Sequence, residues 1–567
     1  MAPQRIKLAA ASELPKPGQK KDFVAFGEGD DASKILLSNV KGEIYATSAK
    51  CTHYGAPLAN GILTEEGHLV CPWHGACFNA KNGDIEDSPA LDSLLSFPVE
   101  VDSNGDVYVS AEEEQLKGKP GKPISCSGSI KESKQGGLVI VGGGSVGIHV
   151  IESARKNGYS GPITLVTSED HAPYDRTKLS KGLIADASAV VWRSPSHLEK
   201  VLKVKVKTGT SAQSLLLSDN KVKLSSGEDL PYEHLVLATG GIPKRLPVPG
   251  AKEGELENVH LLRGLGHVEG ILSALGDKQD KDVVVIGSSF IGMEAAIAMA
   301  GQKKAKSVSV VGMEGVPLEA ILGAEVGKGI KDAQEKNNGL KFYMKAGVQS
   351  IEGDGKVSAV KIKDSNGKEV SIKADVVLLG VGVGPATNYL KESKGFPELE
   401  KDGSVLVDST LRVQNLSSSV FAAGDIATFP SFNGKEKIRI EHWNVAGNQG
   451  RAIGETIANL ERGEKSARKY EKLPIFWSAM GGQLRFVSDG NNASTGNQPP
   501  HVEGSPAEGK FVAYYTRGDG KVSAVASMGW DPVMVQSAEL MKRGTMGSFD
   551  DIKSGKFDPL KVELSAQ

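Results

Sequence analysis

Cys51-Thr52-His53 and Cys71-Pro72-Trp73-His74-Gly75 decide the fold of the first part of this 567-residue chain. Each run carries one thiol and, two or three positions later, one imidazole, so together they offer two sulfur and two nitrogen ligands. Such a set can bind one two-iron cluster, in which imidazoles replace two thiolates on one iron and raise its reduction potential. Zinc accepts the same atoms, but zinc modules usually space the second pair differently and do not need the Pro-Trp-His-Gly turn. We therefore predict an iron-sulfur cluster held by Cys51, His53, Cys71 and His74.

Residues 5–110 resemble the Rieske family. The resemblance extends beyond the ligands to Gly55, Pro57, Leu58, Gly75 and Phe78. High-potential members carry a disulfide between the two cluster loops and a serine after the second loop's glycine, whereas the matching positions here are Ala56, Trp73 and Ala76. Because hydrogen bonds to the cluster are one determinant of its potential, the resemblance implies a low-potential centre. The remaining thiol, Cys77, is interpreted as a small buried apolar residue.

The composition indicates a globular chain of several domains. A length of 567 residues is too great for one core, and 39% hydrophobic content is ordinary. A net charge of −2 gives no electrostatic reason to expect nucleic acid or a membrane surface as partner, which favours small molecules. Four cysteines, two of them predicted ligands, exclude a disulfide scaffold and fit a reducing compartment.

No membrane-spanning or secretory segment is predicted. The longest apolar stretch, 283–300, is interrupted by glycine, serine and glutamate. Residues 1–14 contain two basic side chains but no apolar signal core. We expect a cytoplasmic protein, with the mitochondrion as the alternative.

Residues 113–136 are predicted to form a linker, because their composition and their lack of apolar periodicity are typical of one. The first of two glycine motifs follows this linker. An apolar strand then leads into Gly142-Gly143-Gly144-Ser145-Val146-Gly147, which opens a helix. The three motif glycines allow a tight turn, approach of a pyrophosphate, and helix packing on the strand. An acidic residue after the next strand can bind a ribose hydroxyl, and this context favours a nucleotide site over a simple glycine-rich turn. The residues assigned are Gly142, Gly144, Gly147 and Glu169.

The second motif is Gly287-Ser288-Ser289-Phe290-Ile291-Gly292, again between an apolar strand and a helix. Ser289 replaces the middle glycine, but the next strand ends just before an acidic residue, as a nucleotide site requires. That carboxylate would accept the ribose 2′-hydroxyl and repel a 2′-phosphate, which favours NADH over NADPH. The residues assigned to this nucleotide are Gly287, Gly292, Glu314 and Gly382.

Two further apolar strands end in small residues, which let the backbone meet a cofactor: Leu235-Val236-Leu237-Ala238-Thr239-Gly240-Gly241 and Val420-Phe421-Ala422-Ala423-Gly424-Asp425-Ile426. The order of motifs resembles the pyridine-nucleotide flavoprotein reductases, in which an NAD domain is inserted into an FAD domain. The expected fold is an all-β Rieske domain, two α/β Rossmann-like domains and an α+β C-terminal domain. The expected boundaries are 1–112 for the Rieske domain, 113–136 for the linker, 137–252 and 381–465 for the FAD domain, 253–380 for the NAD domain and 466–567 for the C-terminal domain.

This resemblance also implies individual contacts. Segment 173–181 is similar to a flavin-contacting segment of apoptosis-inducing-factor-like enzymes, which implies Arg176 near the pyrophosphate and Lys181 at the isoalloxazine edge. Glu294 matches an acidic residue facing the nicotinamide, and Lys181 and Glu294 are the candidate catalytic residues. Asp425 matches the aspartate that binds the flavin ribityl chain, and its alternative is a helix N-cap. Four more positions complete the FAD set: Ala238, His442, Trp443 and Trp477.

No cysteine follows Cys126, so the thiol pair of the disulfide reductases is absent and electrons must leave by another route. Taken as a whole, the chain resembles the Rieske-containing branch of the apoptosis-inducing-factor-like oxidoreductases. This resemblance implies that electrons pass from NADH through FAD to the [2Fe-2S] cluster and then to an unidentified acceptor. A Rieske oxygenase would need an iron bound by two histidines and a carboxylate, and His260 and His267 lack the acidic ligand. A redox-sensing or apoptosis-related interaction protein, switched in conformation or oligomeric state by NADH, is the alternative. The resemblance also implies a homodimer.

Overall fold

The computed structural model describes residues 3–29, 32–117, 121–126, 128–133, 135–490 and 498–564. Its N-terminal part consists of small antiparallel sheets with the strand orders β1-β12-β11, β10-β4-β3-β2 and β5-β6-β7-β8. The strands are β1 (Gln4–Ala9), β2 (Lys20–Phe26), β3 (Ser33–Val40), β4 (Glu43–Ser48), β5 (Ile62–Leu63), β6 (His68–Val70), β7 (Cys77–Asn79), β8 (Ile85–Asp87), β9 (Ser93–Leu94), β10 (Ser96–Phe97), β11 (Val99–Val101), β12 (Val107–Ala111) and β13 (Gly121–Lys122).

The predicted linker is partly structured. Strand β13 pairs with β9 of the N-terminal domain, with Gly121 opposite Leu94. Ile124 is buried in the same apolar cluster as the first parallel sheet. Local composition does not reveal these contacts because they depend on surfaces elsewhere in the chain.

The first parallel sheet has the order β16-β15-β14-β20-β32. Its central strands are mostly apolar and almost entirely buried, as strands covered on both faces require. Its last strand comes from beyond the inserted domain. The elements before the insertion are β14 (Leu138–Val141), α1 (Ser145–Lys156), β15 (Ile163–Val166), α2 (Thr177–Gly182), β16 (Val204–Lys207), β17 (Ala212–Leu216), β18 (Lys221–Leu224), β19 (Asp229–Pro231), β20 (His234–Leu237) and β21 (Gly241–Pro243).

The inserted domain repeats the architecture, with a parallel sheet of order β22-β29-β23-β24-β25 and an antiparallel sheet β26-β27-β28. Its elements are β22 (Val259–Leu261), α3 (Leu265–Leu275), β23 (Asp282–Ile286), α4 (Phe290–Gly301), β24 (Ser307–Val311), α5 (Glu319–Asn338), β25 (Lys341–Tyr343), β26 (Gly347–Asp354), β27 (Lys356–Lys363), β28 (Glu369–Lys373) and β29 (Val376–Leu379).

The chain then returns to the first parallel domain, where helix α7 packs closely on α1. A Cβ placed on Gly450 or Gly454 would lie 2.6 Å from a carbonyl oxygen of α1, so glycine permits this packing. The returning elements are β30 (Val383–Pro385), α6 (Asn388–Lys391), β31 (Val405–Leu406), β32 (Val420–Ala422), β33 (Ala427–Pro430), β34 (Lys437–Ile438) and α7 (Trp443–Glu461).

The C-terminal domain is an antiparallel sheet of order β35-β36-β39-β38-β37, followed by two helices. The predicted fold class is thus confirmed. No helix among the described residues is both long enough and apolar enough to span a bilayer. The elements are β35 (Ile475–Ala479), β36 (Gln483–Ser488), β37 (His501–Ser505), β38 (Lys510–Tyr515), β39 (Ala524–Met528), α8 (Val533–Arg543) and α9 (Phe549–Lys553).

Candidate functional site

Two similar loops carry the predicted cluster ligands, one after β4 and one after β6. In the first loop the amide of Cys51 donates to the carbonyl of Ala56, and in the second Cys71 donates to Ala76, both at 2.8 Å. Each loop closes through a glycine of positive φ, Gly55 at 79° and Gly75 at 70°. Glycine adopts a positive φ more readily than other residues, so Gly55 and Gly75 allow the two cluster loops to turn.

The four predicted ligands converge and are almost completely shielded from solvent. The Nδ1 atoms of His53 and His74 lie 2.9 Å apart. Burial lowers the pKa of His74 well below its usual value, which keeps the imidazole in the neutral form that binds metal. Backbone amides of His53 and Tyr54 bond to the sulfur of Cys51, and such donors stabilise thiolate ligation. This donor set fits a [2Fe-2S] cluster.

The ligand imidazoles face aromatic rings of the flavoprotein part. The His74 and Trp477 ring centroids are 4.2 Å apart, and those of His53 and Trp192 are 5.7 Å apart. Trp192 stacks in turn on Trp443 at 6.3 Å. The cluster ligands therefore contact Trp477 directly and are connected to Trp443 through Trp192. Trp443 and Trp477 are the two tryptophans predicted to flank the flavin.

Buried hydrogen bonds hold the iron-sulfur domain in this position. Asn444, at the start of α7, donates from Nδ2 to the carbonyls of His74 and Ser88, each at 3.1 Å. The Tyr54 hydroxyl donates to the Asp175 carboxylate, and burial raises the pKa of Tyr54. These bonds join the cluster loops to both halves of the first parallel domain.

A second set of interdomain contacts uses arginines. The Arg193 guanidinium binds Asp92 at 2.5 Å and Glu152 at 2.6 Å. Arg451 on α7 donates to the carbonyls of Ile85 and Glu86. Arginine suits such buried contacts because its fork of donors can satisfy several acceptors at once.

The first glycine motif has the geometry of a nucleotide-binding turn. Gly142 has φ of 128°, and a Cβ there would lie 2.0 Å from the carbonyl oxygen of Ala238. A Cβ on Gly147 would lie 2.3 Å from the Gly142 carbonyl, whereas Gly144 has open space on its Cβ side. The first and third glycines thus serve packing, and the middle one leaves room for a ligand to approach.

The acidic residue and the arginine predicted to contact FAD bind each other. The Arg176 guanidinium donates to both carboxylate oxygens of Glu169, at 2.7 and 3.0 Å, and to the hydroxyl of Tyr174 at 2.9 Å. Burial opposes ionisation of Glu169, but the hydrogen bonds from Arg176 outweigh it, so the pKa of Glu169 is lowered. Their individual assignments to FAD remain predictions.

Asp425 is likewise paired. It lies in the single 3-10 turn Gly424–Ile426 and does not cap that turn, because the N-cap position belongs to Ala423. Its carboxylate binds Arg263 at 2.7 Å, across the junction with the inserted domain. Arg263 was not among the predicted site residues.

Three predicted flavin-flanking side chains carry buried polar atoms without a hydrogen-bond partner among the described residues: Nδ1 of His442, Nε1 of Trp443 and Nε1 of Trp477. Buried indole N–H groups usually find an acceptor. Together with the open side of Gly144, these atoms fit a bound polar group, and FAD supplies acceptors of this kind.

Lys181 and Glu294 form a buried ion pair where three domains meet. The Lys181 Nζ lies 3.0 Å from a Glu294 oxygen, and the Glu294 side chain is only 3% exposed. The same oxygen accepts a bond from the hydroxyl of Ser478 at 2.5 Å, and the other accepts from Ser180. Among the described residues, the partners of this carboxylate all come from outside the inserted domain. The sequence predicts Lys181 and Glu294 as separate site residues and does not predict their ion pair.

The second glycine motif shows the same packing. A Cβ on Gly287 would lie 2.2 Å from the Gly380 carbonyl, and one on Gly292 would lie 2.1 Å from the Gly287 carbonyl. Beyond β24, Met313 is 85% exposed beside Glu314, an apolar surface that an adenine could cover. One oxygen of Glu314 accepts the amide of Glu319, and Gly382 has open space on its Cβ side. These features fit a nicotinamide nucleotide.

Sequence reasoning missed Trp192, Arg263 and Ser478. Trp192 and Arg263 stand in no recognisable motif, so local sequence gave no indication of their contacts. Ser478 directly follows Trp477, and its small polar side chain on an otherwise apolar strand was an available indication.

Comparisons with known proteins agree with this geometry. Residues 137–450 match the family model for pyridine nucleotide-disulphide oxidoreductases, and residues 4–98 match the Rieske [2Fe-2S] domain. The human protein named apoptosis-inducing factor 3 is 37% identical over 517 residues, which are 90% of this chain and 80% of that protein. Rhodocoxin reductase of Rhodococcus erythropolis is 30% identical over 345 residues, 60% of this chain and 75% of that protein.

Solved structures agree as well. A ferredoxin reductase from Rhodopseudomonas palustris has a TM-score of 0.66 at 26% identity, covering 75% of this chain and 99% of that one. A chain of a covalent putidaredoxin reductase–putidaredoxin complex has a TM-score of 0.63 at 26% identity, covering 75% of this chain and 99% of that one. The predicted cofactors, FAD, a nicotinamide nucleotide and a [2Fe-2S] cluster, are those of the matched domains. The chain therefore belongs to the pyridine nucleotide-disulphide oxidoreductase family, as an NAD(P)H-dependent FAD oxidoreductase of the Rieske-containing, apoptosis-inducing-factor-like group.

Proposed function

We propose that this protein oxidises NADH and delivers the electrons, through FAD, to its own Rieske cluster and then to a separate one-electron acceptor. FAD supplies the conversion between two-electron and one-electron chemistry. The observation that carries the proposal is the contact between a cluster-ligand imidazole, His74, and Trp477, with 4.2 Å between ring centroids.

Strand β35 connects this contact to the predicted flavin site. Trp477 lies against His74, and the next residue, Ser478, binds Glu294, which pairs with Lys181. A cation held by a buried carboxylate suits the flavin edge, where it would stabilise negative charge. The contact between Trp477 and His74 and the buried ion pair lie side by side on this strand, which supports direct transfer between the two predicted redox sites within one chain.

In this chain the fused Rieske domain would occupy the position of a separate partner protein, which in the putidaredoxin reductase–putidaredoxin complex is putidaredoxin. The Rieske loops of this chain are tied to α7 by Asn444 and to residue 175 by Tyr54. The first contact is buried and the second is partly buried, which supports a stable docked arrangement in place of a transient encounter.

NADH preference over NADPH forms part of the proposal and rests on Glu314. Its carboxylate follows β24, where it would bond to a ribose hydroxyl and repel a 2′-phosphate. We further propose a low-potential cluster, near the lower end of the Rieske range at about −150 mV, because Ala56 and Ala76 offer neither a loop disulfide nor a hydroxyl donor.

The remaining proposals concern the protein's surroundings. None of the four cysteines forms a disulfide, which supports a reducing compartment. We propose that this compartment is the cytoplasm, with the mitochondrion as the alternative. A homodimer formed through residues 466–567 is proposed from the family resemblance. Fluorescence imaging of the tagged chain and sedimentation velocity test these two points.

Anaerobic addition of NADH to the purified protein tests the main proposal. Flavin reduction is followed by absorbance and cluster reduction by electron paramagnetic resonance, with equal NADPH as the comparison. We expect flavin bleaching followed by the signal of the reduced cluster, faster with NADH. Flavin bleaching with a cluster that remains silent would refute internal transfer and would favour a sensing role.

A further inference from the structure

A second cluster of metal-binding side chain types lies in the iron-sulfur domain, outside the four Rieske ligands. His68, Cys77 and Glu86 come from the adjacent strands β6, β7 and β8. All three line a cavity of about 400 Å³ between the iron-sulfur domain, α7 and the C-terminal domain. Neither the proposed electron route nor the nucleotide sites use these residues.

Two of the three separations between the side-chain atoms match those of a tetrahedral zinc site. His68 Nε2 lies 3.2 Å from Glu86 Oε2, and Cys77 Sγ lies 3.7 Å from the same oxygen. The three potential ligand atoms all lie within 4.8 Å of one another. Zinc bond lengths predict ligand separations of about 3.3 Å for nitrogen and oxygen and about 3.5 Å for sulfur and oxygen.

We propose that His68, Cys77 and Glu86 bind one zinc ion, separate from the iron cluster. A thiolate, an imidazole and a carboxylate form a donor set that suits zinc better than magnesium or calcium, which prefer oxygen alone. Three protein ligands leave the fourth position to water or a small anion from the cavity.

The surroundings support such a site. The second oxygen of Glu86 accepts a bond from Asn79 Nδ2 at 3.0 Å, the kind of outer contact that orients a ligating carboxylate. Three lysines also line the cavity, Lys156, Lys472 and Lys542. Each of them forms an ion pair with a carboxylate other than that of Glu86.

Zinc and iron content test the proposal on the full-length holoprotein. Protein is dialysed against a mild chelator, incubated with zinc sulfate and desalted, and both metals are counted per chain. We expect one zinc with the two cluster irons retained. X-ray absorption at the zinc edge should show one sulfur neighbour at about 2.3 Å.

Variants locate the metal. Cys77→Ser should lose the zinc but keep the iron, whereas Cys126→Ser, which removes the other non-cluster thiol, should keep both. His68→Gln gives a second test that leaves the thiol intact and should weaken zinc binding at least tenfold. Asn79→Ala, at a positioning residue, should weaken it by about tenfold.

Three results would overturn the site. One is a wild-type protein that retains no zinc. Another is zinc with two sulfur neighbours and falling iron content, which would place it in the Rieske loops. The third is equal zinc in Cys77→Ser and wild type. Because zinc content is measured without NADH, failure here is distinguishable from failure of the proposed electron transfer.

Discussion

The rings of Trp477 and His74 lie with their centroids 4.2 Å apart and their planes inclined by 43°. One ring belongs to a predicted cluster ligand and the other to the strand that also binds Glu294 through Ser478. The fold thus brings the N-terminal domain and the C-terminal domain together over the predicted flavin site. A second aromatic connection, from His53 through Trp192 to Trp443, has longer separations of 5.7 and 6.3 Å.

Replacing Trp477 should slow reduction of the cluster. Trp477→Leu removes the shorter aromatic contact, and we expect cluster reduction by NADH to slow by about tenfold, equivalent to about 1.4 kcal/mol of barrier. Rapid mixing with NADH, with absorbance for the flavin and freeze-quenched electron paramagnetic resonance for the cluster, gives both rates. Flavin reduction should change less than cluster reduction.

Trp192→Leu is the matched control, because it interrupts the longer connection through an aromatic residue of the same type. We expect a smaller effect on cluster reduction. An equal or larger effect in Trp192→Leu would assign the principal contact to His53 instead.

Removing the charge of Glu294 should weaken the junction of the three domains. In Glu294→Gln the side chain keeps most of its hydrogen-bonding capacity, but Lys181 loses its buried partner. Removing one charge of a buried ion pair leaves the other charge buried without a partner, which lowers the free energy of unfolding. Because the Lys181 side chain is 21% exposed and solvent screens part of its charge, we expect a decrease of about 2 kcal/mol. Thermal unfolding measures the loss, and stopped-flow mixing should show slower flavin reduction.

Glu335→Gln serves as control, since it removes an ion pair with Lys331 on the exposed side of α5. That pair should be worth about 0.5 kcal/mol or less. If both variants unfold at the same temperature, the buried pair has no special structural importance.

Local patterns predicted the parts of the site that depend on neighbouring residues. The cluster loops need glycines at positive φ, and Gly55 and Gly75 supply them within the motif. The nucleotide turns need glycine where Gly142 and Gly287 approach a carbonyl, and the requirement repeats with each motif. These requirements concern residues within a few positions of the motif itself, so the sequence alone can predict them.

Pairings between distant residues could not be predicted in this way. Lys181 and Glu294 were each assigned to the site, but their ion pair depends on how the inserted domain sits on the first. Arg263 binds Asp425 from 162 positions away, and Trp192 reaches His53 from a segment without a motif. Tertiary packing decides such contacts, and no short-range pattern encodes them.

The nucleotide preference should depend on the carboxylate of Glu314. Glu314→Gln retains an acceptor for the Glu319 amide but loses the negative charge that repels a 2′-phosphate. A charged hydrogen bond to a ribose hydroxyl is worth about 1.5 kcal/mol or more, so the ratio of NADH to NADPH efficiency should fall about tenfold. Steady-state kcat/KM with both nucleotides and an artificial acceptor measures it, and an unchanged ratio would remove Glu314 from the site.

Acid should destabilise the protein through His149, which is buried on α1 and bonds through Nδ1 to the carbonyl of Ser145 at 2.8 Å. Burial lowers its pKa from 6.5 to about 3. The imidazole therefore becomes protonated below about pH 6.5 in the unfolded chain but only below about pH 3 in the folded protein. The free energy of unfolding consequently decreases as the pH falls through this interval. At pH 5 the decrease amounts to about 2 kcal/mol.

His149→Asn keeps a donor near the Nδ1 position but cannot titrate, so its urea midpoint should fall less than that of the wild type between pH 7.5 and pH 5. Equal falls in the two proteins would show that other groups, such as the buried His442, carry the acid sensitivity.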